Sequence, residues 1–568
     1  MPRIELKEAQ RVRAKGEQLK KDRDSKWLPK WKDQRDFLSP SEGQFEGDQV
    51  NDGKRRDQRM NNKRPVRSAQ TLAAGMASGM ASQARPWFNL EAPNGVPRTS
   101  NVMRWLYEVQ ESMRNVMAKS NLYNILPQLF LSEGVYGTGC MAAMPDAQDV
   151  VRFYHYPIGT YAIDTSARGL VDTFYREYAM TPRQMAQQFG IDNLSVGAKA
   201  AAEKGALTPY YCCHLIEPNP DADMERVDNL SMPWRSTYWE KGSNDGMVLR
   251  QSGFKTFPIM APRWDVNGTN TYGTGPGDVA LGKSKELQLL EADKLRVVQQ
   301  YARPAVVAPI SMRGQYANLV PGGTVWAPDQ LVGTAFQPAY TPDPNVLPNI
   351  RGEIDQCERA IGEAYFEDLF LLISQADGQM TATEVIQRKE EKMLMLGPVV
   401  ERNNDELFDP LMDQIFSIMV EQSTPRWMGL LPGVPLIPPP PEELAGVPLT
   451  IEYISILAQA QKAVAAGSIE RALQFTGMMM QSGFTEAGDA INSDQMQANY
   501  YTAIGAPPTM LRSPEEIAAI RQARAAQVQQ QQAAEQGMAM AQGAKTMAET
   551  PTGGDTALSA ILGTQSNG

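Results

Sequence analysis

Two helical stretches separated by a segment that cannot be helix constrain this chain more than any other feature. Across 277–303, Leu287, Leu290, Val297 and Tyr301 fall on roughly one side of a 3.6-residue helix. Pro304 ends that helix, because proline has no N–H to donate and crowds the preceding turn. Residues 304–348 are then punctuated by Gly and Pro and hold only short strand candidates. A second helix follows, with Ile350, Ile354, Cys357, Ile361 and Tyr365 at helical spacing. The unit is helix, β-rich insertion, helix.

The first of these helices opens on GDVALGKS (277–284), a complete G-x-x-x-x-G-K-S pattern. In a phosphate-binding loop, backbone N–H groups wrap the phosphates, the Lys reaches them and the Ser holds Mg²⁺. Gly277, Gly282, Lys283 and Ser284 would take those roles. Such a loop, however, follows a buried strand that ends at the first glycine. Here the preceding residues are NGTNTYGTGP, and the nearest strand-like run, FPIMAPRWDV, stops ten residues earlier. DVAL has the look of a first helical turn. Gly273, Gly275 and Gly277 are expected to make a tight turn into the helix, with Lys283 on a solvated face. A nucleotide-hydrolysing protein is the weaker reading.

Upstream, residues 1–25 read as a charged helix and 39–68 as a long polar loop. TLAAGMASGMASQA (71–84) reads as a helix of small residues whose Gly75 and Gly79 allow close packing on another helix. Val102, Val109, Met113 and Met117 mark a further helix, and Pro127 to Val135 an apolar one ended by the glycines of YGTGC. The runs VVRFYHYPIGTYAID, LVDTFYREYAM and TPYYCCHLIEP are strands, with MTPRQMAQQFG between them as a short helix. Irregular antiparallel structure continues to about Trp264.

Downstream, LLISQADGQM is a polar tip, and Thr381 with Glu384 forms a capping box that opens a third helix. Gly397-Pro398 and Pro410 should bend it. LLPGVPLIPPPPEEL (430–444) reads as a stiff polyproline spacer. Beyond it lie C-terminal helices, one opened by Ser513-Pro514-Glu515-Glu516. The tail from about Gly543 to Gly568 is expected to be disordered.

At 568 residues the chain should divide into several domains or subdomains, and 42% hydrophobic with 21% charged residues is ordinary soluble composition. No secretory signal and no run of eighteen apolar residues is present, so no membrane partner is expected. Four cysteines point to a reducing compartment rather than a disulfide framework. Charge is uneven: residues 1–67 hold 19 Lys+Arg against 12 Asp+Glu, a net of +7, which leaves −17 elsewhere to give the overall −10. A basic arm on an acidic body suits nucleic acid, an acidic partner, or simply a solvated helix face. The acidic body disfavours tight sequence-specific DNA binding but suits a surface that DNA passes without sticking.

No metal or catalytic constellation stands out. Adjacent Cys212 and Cys213 cannot easily share one Zn²⁺, and alternation puts Cys213 and His214 on opposite strand faces. DADMER (221–226) resembles the start of a calcium loop, but Arg226 stands at the obligatory glycine and Met232 at the bidentate Glu. Only His155 and His214 are available to a nucleophilic triad. No catalytic, cofactor or metal residues are expected.

Taken in order, TLAAGMASGMASQARPWFNL, LPQLFLSEGVYGTGCM, RFYHYPIGTYAIDTSARGLVDTFYREYAMTPRQMAQQFG, TYGTGPGDVALGKSKELQLLEADKL and TATEVIQRKEEKMLMLGPVV resemble the portal, or head-to-tail connector, proteins of short-tailed bacteriophages. The resemblance runs from about residue 20 to 540. It implies an α+β, mostly helical portal fold with wing, stem, clip and crown regions around a central channel, the wing and clip β-rich. Mapped so, residues 1–276 form the wing, 277–303 and 349–372 the stem helices, and 304–348 the clip. Residues 373–381 become the tunnel loop, 382–425 a bent channel helix, 426–542 the helical crown and 543–568 the disordered tail. It also implies a homo-oligomer of about twelve copies at one capsid vertex of the virion, assembled in the host cytoplasm, through which double-stranded DNA is packaged and ejected. The implied partners are the terminase large subunit, tail adaptor proteins, and major capsid and scaffolding proteins. ATP hydrolysis in the family belongs to the separate terminase, so the chain itself is expected not to be an enzyme. In the channel, Ser374, Gln375, Asp377 and Gln379 suit transient, sequence-blind contact, and Arg388, Lys389 and Lys392 could touch phosphates. Pairs such as Glu384–Arg388 are the alternative use of those charges. A monomeric binding scaffold is the other competing class.

Overall fold

The computed structural model describes residues 4–304 except 46–47, 49–52, 54–55, 94, 97–98, 224, 227 and 244–245; then 306–307, 310, 337–338, 343–374, 395–423, and 436–454 except 445 and 447–449. Beyond these it describes 472–480, 482, 496–497, 500, 514–549, 551–552 and 555–556. The chain divides into two units, Met1–Gln461 and Lys462–Gly568.

The first unit is α+β. Its helical part is built from α1 (Leu6–Lys26), α2 (Leu28–Leu38), α3 (Arg64–Met80), α4 (Ser100–Lys119) and α5 (Leu122–Tyr136). The charged N-terminal helix is there, and the helix of small residues starts at Arg64, inside the expected loop, with Pro65 in its first turn. Leu72 and Met76 of α3, Leu126, Leu129 and Phe130 of α5, and Val102, Val109, Met113 and Met117 of α4 are buried in one core. α5 ends where Gly137 takes the left-handed conformation (φ +79°), so YGTGC does stop it.

The β-rich region follows the sequence expectation closely. β2 (Met141–Asp146), β3 (Val150–His155) and β9 (Ile259–Met260) make a three-stranded sheet in the order β3-β2-β9. β4 (Tyr161–Thr165), β5 (Val171–Met180), β6 (Tyr210–Pro218), β7 (Trp234–Glu240) and β8 (Arg250–Phe254) form a five-stranded antiparallel sheet in sequence order. Between β5 and β6 come α6 (Pro182–Phe189), opened by a Thr181/Gln184 capping box, and α7 (Val196–Glu203). α1 covers one face of the larger sheet, Val12 packing with Ala162, Tyr175, Cys213, Leu215 and Trp239. α6 covers part of the other, where Met185 and Phe189 meet Cys212 and Tyr238.

α1 also settles the charge asymmetry. Arg11 and Lys15 reach Glu217 on β6, Lys20 reaches Glu177 on β5, and Arg23 donates to the Tyr161 carbonyl while pairing with Asp24. The acidic partner of this basic helix is the body of the same chain.

The helix–insertion–helix unit is present as α8 (Pro276–Ala302) and α9 (Val346–Ala364), packed antiparallel. The two short strands β10 (Val306–Val307) and β11 (Gln337–Pro338) pair at the root of the insertion. The second helix is not continuous to 372: it stops at Ala364 and resumes as α10 (Glu367–Ser374). Phe366 at the break is left-handed (φ +53°), which costs a non-glycine residue about 1–2 kcal/mol and is offset by burying its neighbour Tyr365.

The expected bend near Pro410 takes a specific form. After a helix over 395–403 the chain makes a five-residue π turn, Asn404–Phe408, before a helix over Asp409–Gln422. Pro410 cannot donate to the carbonyl four residues back and would crowd it, and the wider turn absorbs that mismatch. The polyproline stretch is no free spacer. Ile437 and Leu444 are buried, the Trp105 indole N–H donates to the Pro438 carbonyl (2.9 Å), and Ser112 Oγ to that of Leu436 (2.7 Å). Residues 436–438 thus lie along α4, and β12 (Thr450–Tyr453) then pairs antiparallel with β1 (Phe88–Glu91).

In the second unit a helix spans 472–480 and a long one spans Pro514–Glu549, opening at the predicted Ser-Pro-Glu-Glu. It runs past Gly543, and Pro551–Thr552 pairs with Asp555–Thr556. The helix therefore enters the segment expected to be a disordered tail, where Ala, Lys and Met are good helix formers and continue the Gln/Ala-rich run.

Candidate functional site

The residues expected to face DNA fall mostly outside the described residues. Ser374 is the last residue of α10; Gln375, Asp377, Gln379, Arg388, Lys389 and Lys392, with the Thr381/Glu384 capping box, lie in 375–394, which the structure does not describe. What it does define is the anchorage on either side.

On the N-terminal side, α10 is clamped to α3. Glu367 is buried and accepts from the Arg64 guanidinium (2.6 Å) and from Ser68 Oγ (3.0 Å). Gly362 on α9 makes room for this pair: a Cβ there would sit 3.0 Å from Glu367 Oε2 and 3.2 Å from Arg64 Nη2. One turn further, Phe370 lies on Gly75, where a Cβ would approach its ring to 2.1 Å. The predicted close packing at Gly75 is thus against α10.

On the C-terminal side, the helix over 395–403 is pinned to α5. Asn403 Nδ2 donates to Glu133 Oε1 (2.9 Å) and to the Val399 carbonyl (3.0 Å). Glu133 is fully buried, and desolvation pushes its carboxyl up to about 8; the Asn403 hydrogen bond opposes this, Glu406 adds to it and Arg402 opposes it. Its second oxygen and Asn403 Oδ1 have no partner, an arrangement that a proton on the carboxyl relieves. In the π turn, Glu406 accepts from Arg263 through Nε (3.0 Å), Nη2 (2.6 Å) and the backbone N–H (3.0 Å). Arg263 is almost completely buried, so this bidentate pair is a strong one. Since α3 and α5 pack directly, with Leu72 filling the space over Gly134, both ends of the 375–394 segment stand on one platform.

GDVALGKS sits on the same platform and is not a phosphate loop. All eight residues are helical, inside α8. Gly275 N–H donates to Asp278 Oδ2 (3.0 Å), and Gln34 and Lys30 of α2 hold the other oxygen. Gly277 is glycine because a Cβ would come within 2.0 Å of the Val135 carbonyl oxygen. Ser284 Oγ is buried, and Lys283 pairs with Glu286 one turn on. The N–H groups of the loop serve the helix, and its hydroxyl cannot reach a metal in solvent.

The other chemical candidates dissolve in the same way. Cys212 faces the α6 cluster and Cys213 the α1 side, while His214 stacks on Tyr238 with ring centroids 3.7 Å apart. Ser132 and His155 do come within 3.1 Å, but Ser132 is buried in α5 and burial pulls the imidazole down to about 4. Among the described residues no group of three acidic, His or Cys side chains could hold a metal, and no helix is long and apolar enough to cross a membrane. All four cysteines are buried and unpaired.

Sequence reasoning missed both clamps. Glu133 is one acidic residue in an apolar helix, LPQLFLSEGVY, and that isolation is the signal available for it.

Comparison with known proteins agrees with the recurring stretches. The sequence of a portal protein from Salmonella phage epsilon15 is 40% identical over 549 residues, covering 96% of each chain. A probable portal protein from Bordetella phage BPP-1 is 35% identical over 542 residues, covering 94% of this chain and 93% of that one. A solved chain from the virion of a native gene transfer agent particle aligns at 12% identity and a TM-score of 0.32, over 79% of this chain and 91% of that one. The family described as bacteriophage head to tail connecting protein matches residues 9–511. The chain therefore belongs to the bacteriophage head-to-tail connecting proteins, the portal family.

Proposed function

We propose that about twelve copies of this chain close into a ring at one vertex of the capsid and form the channel through which double-stranded DNA is packaged and later ejected. The observation that carries this is α8. Its first half is built into the core through Ala280, Ser284 and Leu287, whereas beyond it Leu289 (68% exposed), Leu295 (51%) and Val298 (44%) face outward beside α9. A lone chain leaves that apolar surface in water; neighbouring copies around a ring would cover it. In this reading residues 1–276 are the wing, 277–303 and 349–372 the stem, 304–348 the clip, 373–381 the tunnel loop, 382–425 the channel helix and 426–542 the crown. Tail adaptor proteins and the terminase large subunit dock at the clip, while the major capsid and scaffolding proteins surround the wing. The role is structural, in the virion, and energy for DNA movement comes from the terminase.

The channel must hold DNA weakly while letting it slide. Ser374, Gln375, Asp377 and Gln379 provide uncharged or repelling contact, and Arg388, Lys389 and Lys392 a few phosphate contacts that salt would screen. The platform under α3 and α5 carries the load at both ends of that segment. Native mass spectrometry with single-particle class averages tests the assembly: a species near 12 × 62.7 kDa, roughly 750 kDa, with a central hole is expected. A 62.7 kDa monomer at every concentration, with scaffolding protein supplied, would sink the proposal.

A further inference from the structure

The register of the five-stranded sheet sets four side chains in one cross-strand row. Arg176 on β5 faces His214 on β6, His214 faces Tyr238 on β7, and Tyr238 faces Arg250 on β8. Among the described residues no carboxylate pairs with the two positive charges of the row. The Arg176 guanidinium lies over the rings of Tyr178 (3.8 Å to the centroid) and Tyr156 (4.7 Å). Its Nε is shut off from solvent without a hydrogen-bond partner. Arg250 lies over Tyr238 (4.9 Å) and Phe189 (5.8 Å). Neither arginine has a carboxylate among the described residues, whereas Arg23, Arg64, Arg235 and Arg263 each hold one.

The rest of the row also offers unused polar atoms. His214 spends Nε2 on Ser236 Oγ (2.9 Å) and leaves Nδ1 buried and unpartnered, while the buried Tyr178 hydroxyl stands near the Arg176 guanidinium. Burial and the two arginines keep the imidazole neutral. One carboxylate, Glu240, shares this sheet face; its register partner is Cys212, and it pairs with neither arginine. The row lies between the α6 cluster of Met185 and Phe189 and the main core at Tyr156 and Phe174. Stacking on tyrosine recovers only part of what a guanidinium loses on leaving water. A carboxylate or phosphate recovers the remainder, because the two Nη groups of a guanidinium match two of its oxygens with parallel hydrogen bonds.

We propose that the Arg176–His214–Tyr238–Arg250 row is an oxyanion-binding site for a carboxylate or phosphate group, gripped by Arg176 and drawn in by the more exposed Arg250. Two sources supply that chemistry: a dissolved anion, or an Asp or Glu side chain of a second copy of this chain. The site stands on the sheet alone and holds whether or not the ring does.

Inorganic phosphate is the probe, titrated calorimetrically into the unassembled full-length chain and followed by thermal melts against sodium chloride at equal ionic strength. Phosphate should bind at one site and raise the melting temperature beyond chloride. Arg176→Met should lose that response while melting no lower than the parent without phosphate, since an unbalanced buried charge has gone. Arg176→Lys should weaken binding about tenfold, because a point charge lacks the fork. Arg250→Ala should weaken it less, and this surface change keeps the test open if the Arg176 variants do not fold. Binding to the unassembled chain but not to the assembled form assigns the site to a neighbour's carboxylate; binding to both assigns it to a dissolved anion. No phosphate response in the parent, or an equal response in Arg176→Met, overturns the proposal.

Discussion

Replacing Glu133 with glutamine should change the pH dependence of stability in one direction and over one window. The carboxyl is raised from 4.5 to about 8 in the folded chain, chiefly by burial. Below pH 4.5 it is protonated whether the chain is folded or not, so it has no effect on pH dependence. Between 4.5 and 8 the unfolded chain releases the proton and the folded chain keeps it, so stability falls as pH rises. At about 1.4 kcal/mol per pH unit over about 3.5 units, the loss reaches up to about 5 kcal/mol and levels off above pH 8. Glutamine keeps the acceptor for Asn403 Nδ2 and puts an N–H donor where the unpartnered Oε2 stands, so the clamp survives without the titration. The assay is urea unfolding of parent and variant at half-unit steps from pH 4.5 to 8.5. His155 and other groups that titrate in this window contribute equally to both chains and cancel in the difference. The variant should gain on the parent steadily up to about pH 8, by several kcal/mol in all. A difference that stays constant across the window would show that Glu133 is not buried as a neutral acid and would refute the reasoning.

Gly75→Ala should destabilise by about 1–3 kcal/mol in thermal melts, because the new methyl meets the Phe370 ring, and adding Phe370→Leu should recover part of it. Arg263→Ala should cost about 3–5 kcal/mol in urea, since it strands the Glu406 carboxylate against the π turn; Arg263→Met with Glu406→Leu should cost much less. Lys283→Ala should leave the melting temperature unchanged and should alter no nucleotide binding in calorimetry, because the side chain is half-exposed and reaches only Glu286. ATP binding that this variant abolished would restore the phosphate-loop reading of GDVALGKS.

Much of the fold is legible along the chain because it depends on near neighbours. Pro276 and Asp278 open α8, Pro304 follows its end, Thr181 and Gln184 cap α6, and Gly137 stops α5; each effect works within four residues. The alternation that places Cys213 and His214 on opposite faces of β6 is equally local. Resemblance then supplied the order of these elements and the family. The anchorage on either side of 375–394 was not legible. Nothing near Glu133 announces Asn403, 270 residues on, and nothing near Arg263 announces Glu406.

Three other features show the same limit. The four helical spacings up to Tyr365 predict an unbroken helix, yet the chain turns left-handed at Phe366 so that Glu367 can meet Arg64 and Ser68. The prolines of 430–444 predict an extended spacer, but only Trp105 and Ser112 tie its described part to α4, at Pro438 and Leu436. The +7 of the first 67 residues is plain in the composition, and only the packed sheet shows that Glu177 and Glu217 receive it. Periodicity, caps and breakers therefore decided which segments are helix or strand, because backbone sterics and i,i+4 contacts act at short range. Which buried charges meet, where the helix breaks and what anchors the two sides of 375–394 were decided by the tertiary structure, because desolvation has to be satisfied by whatever side chain the rest of the fold brings near.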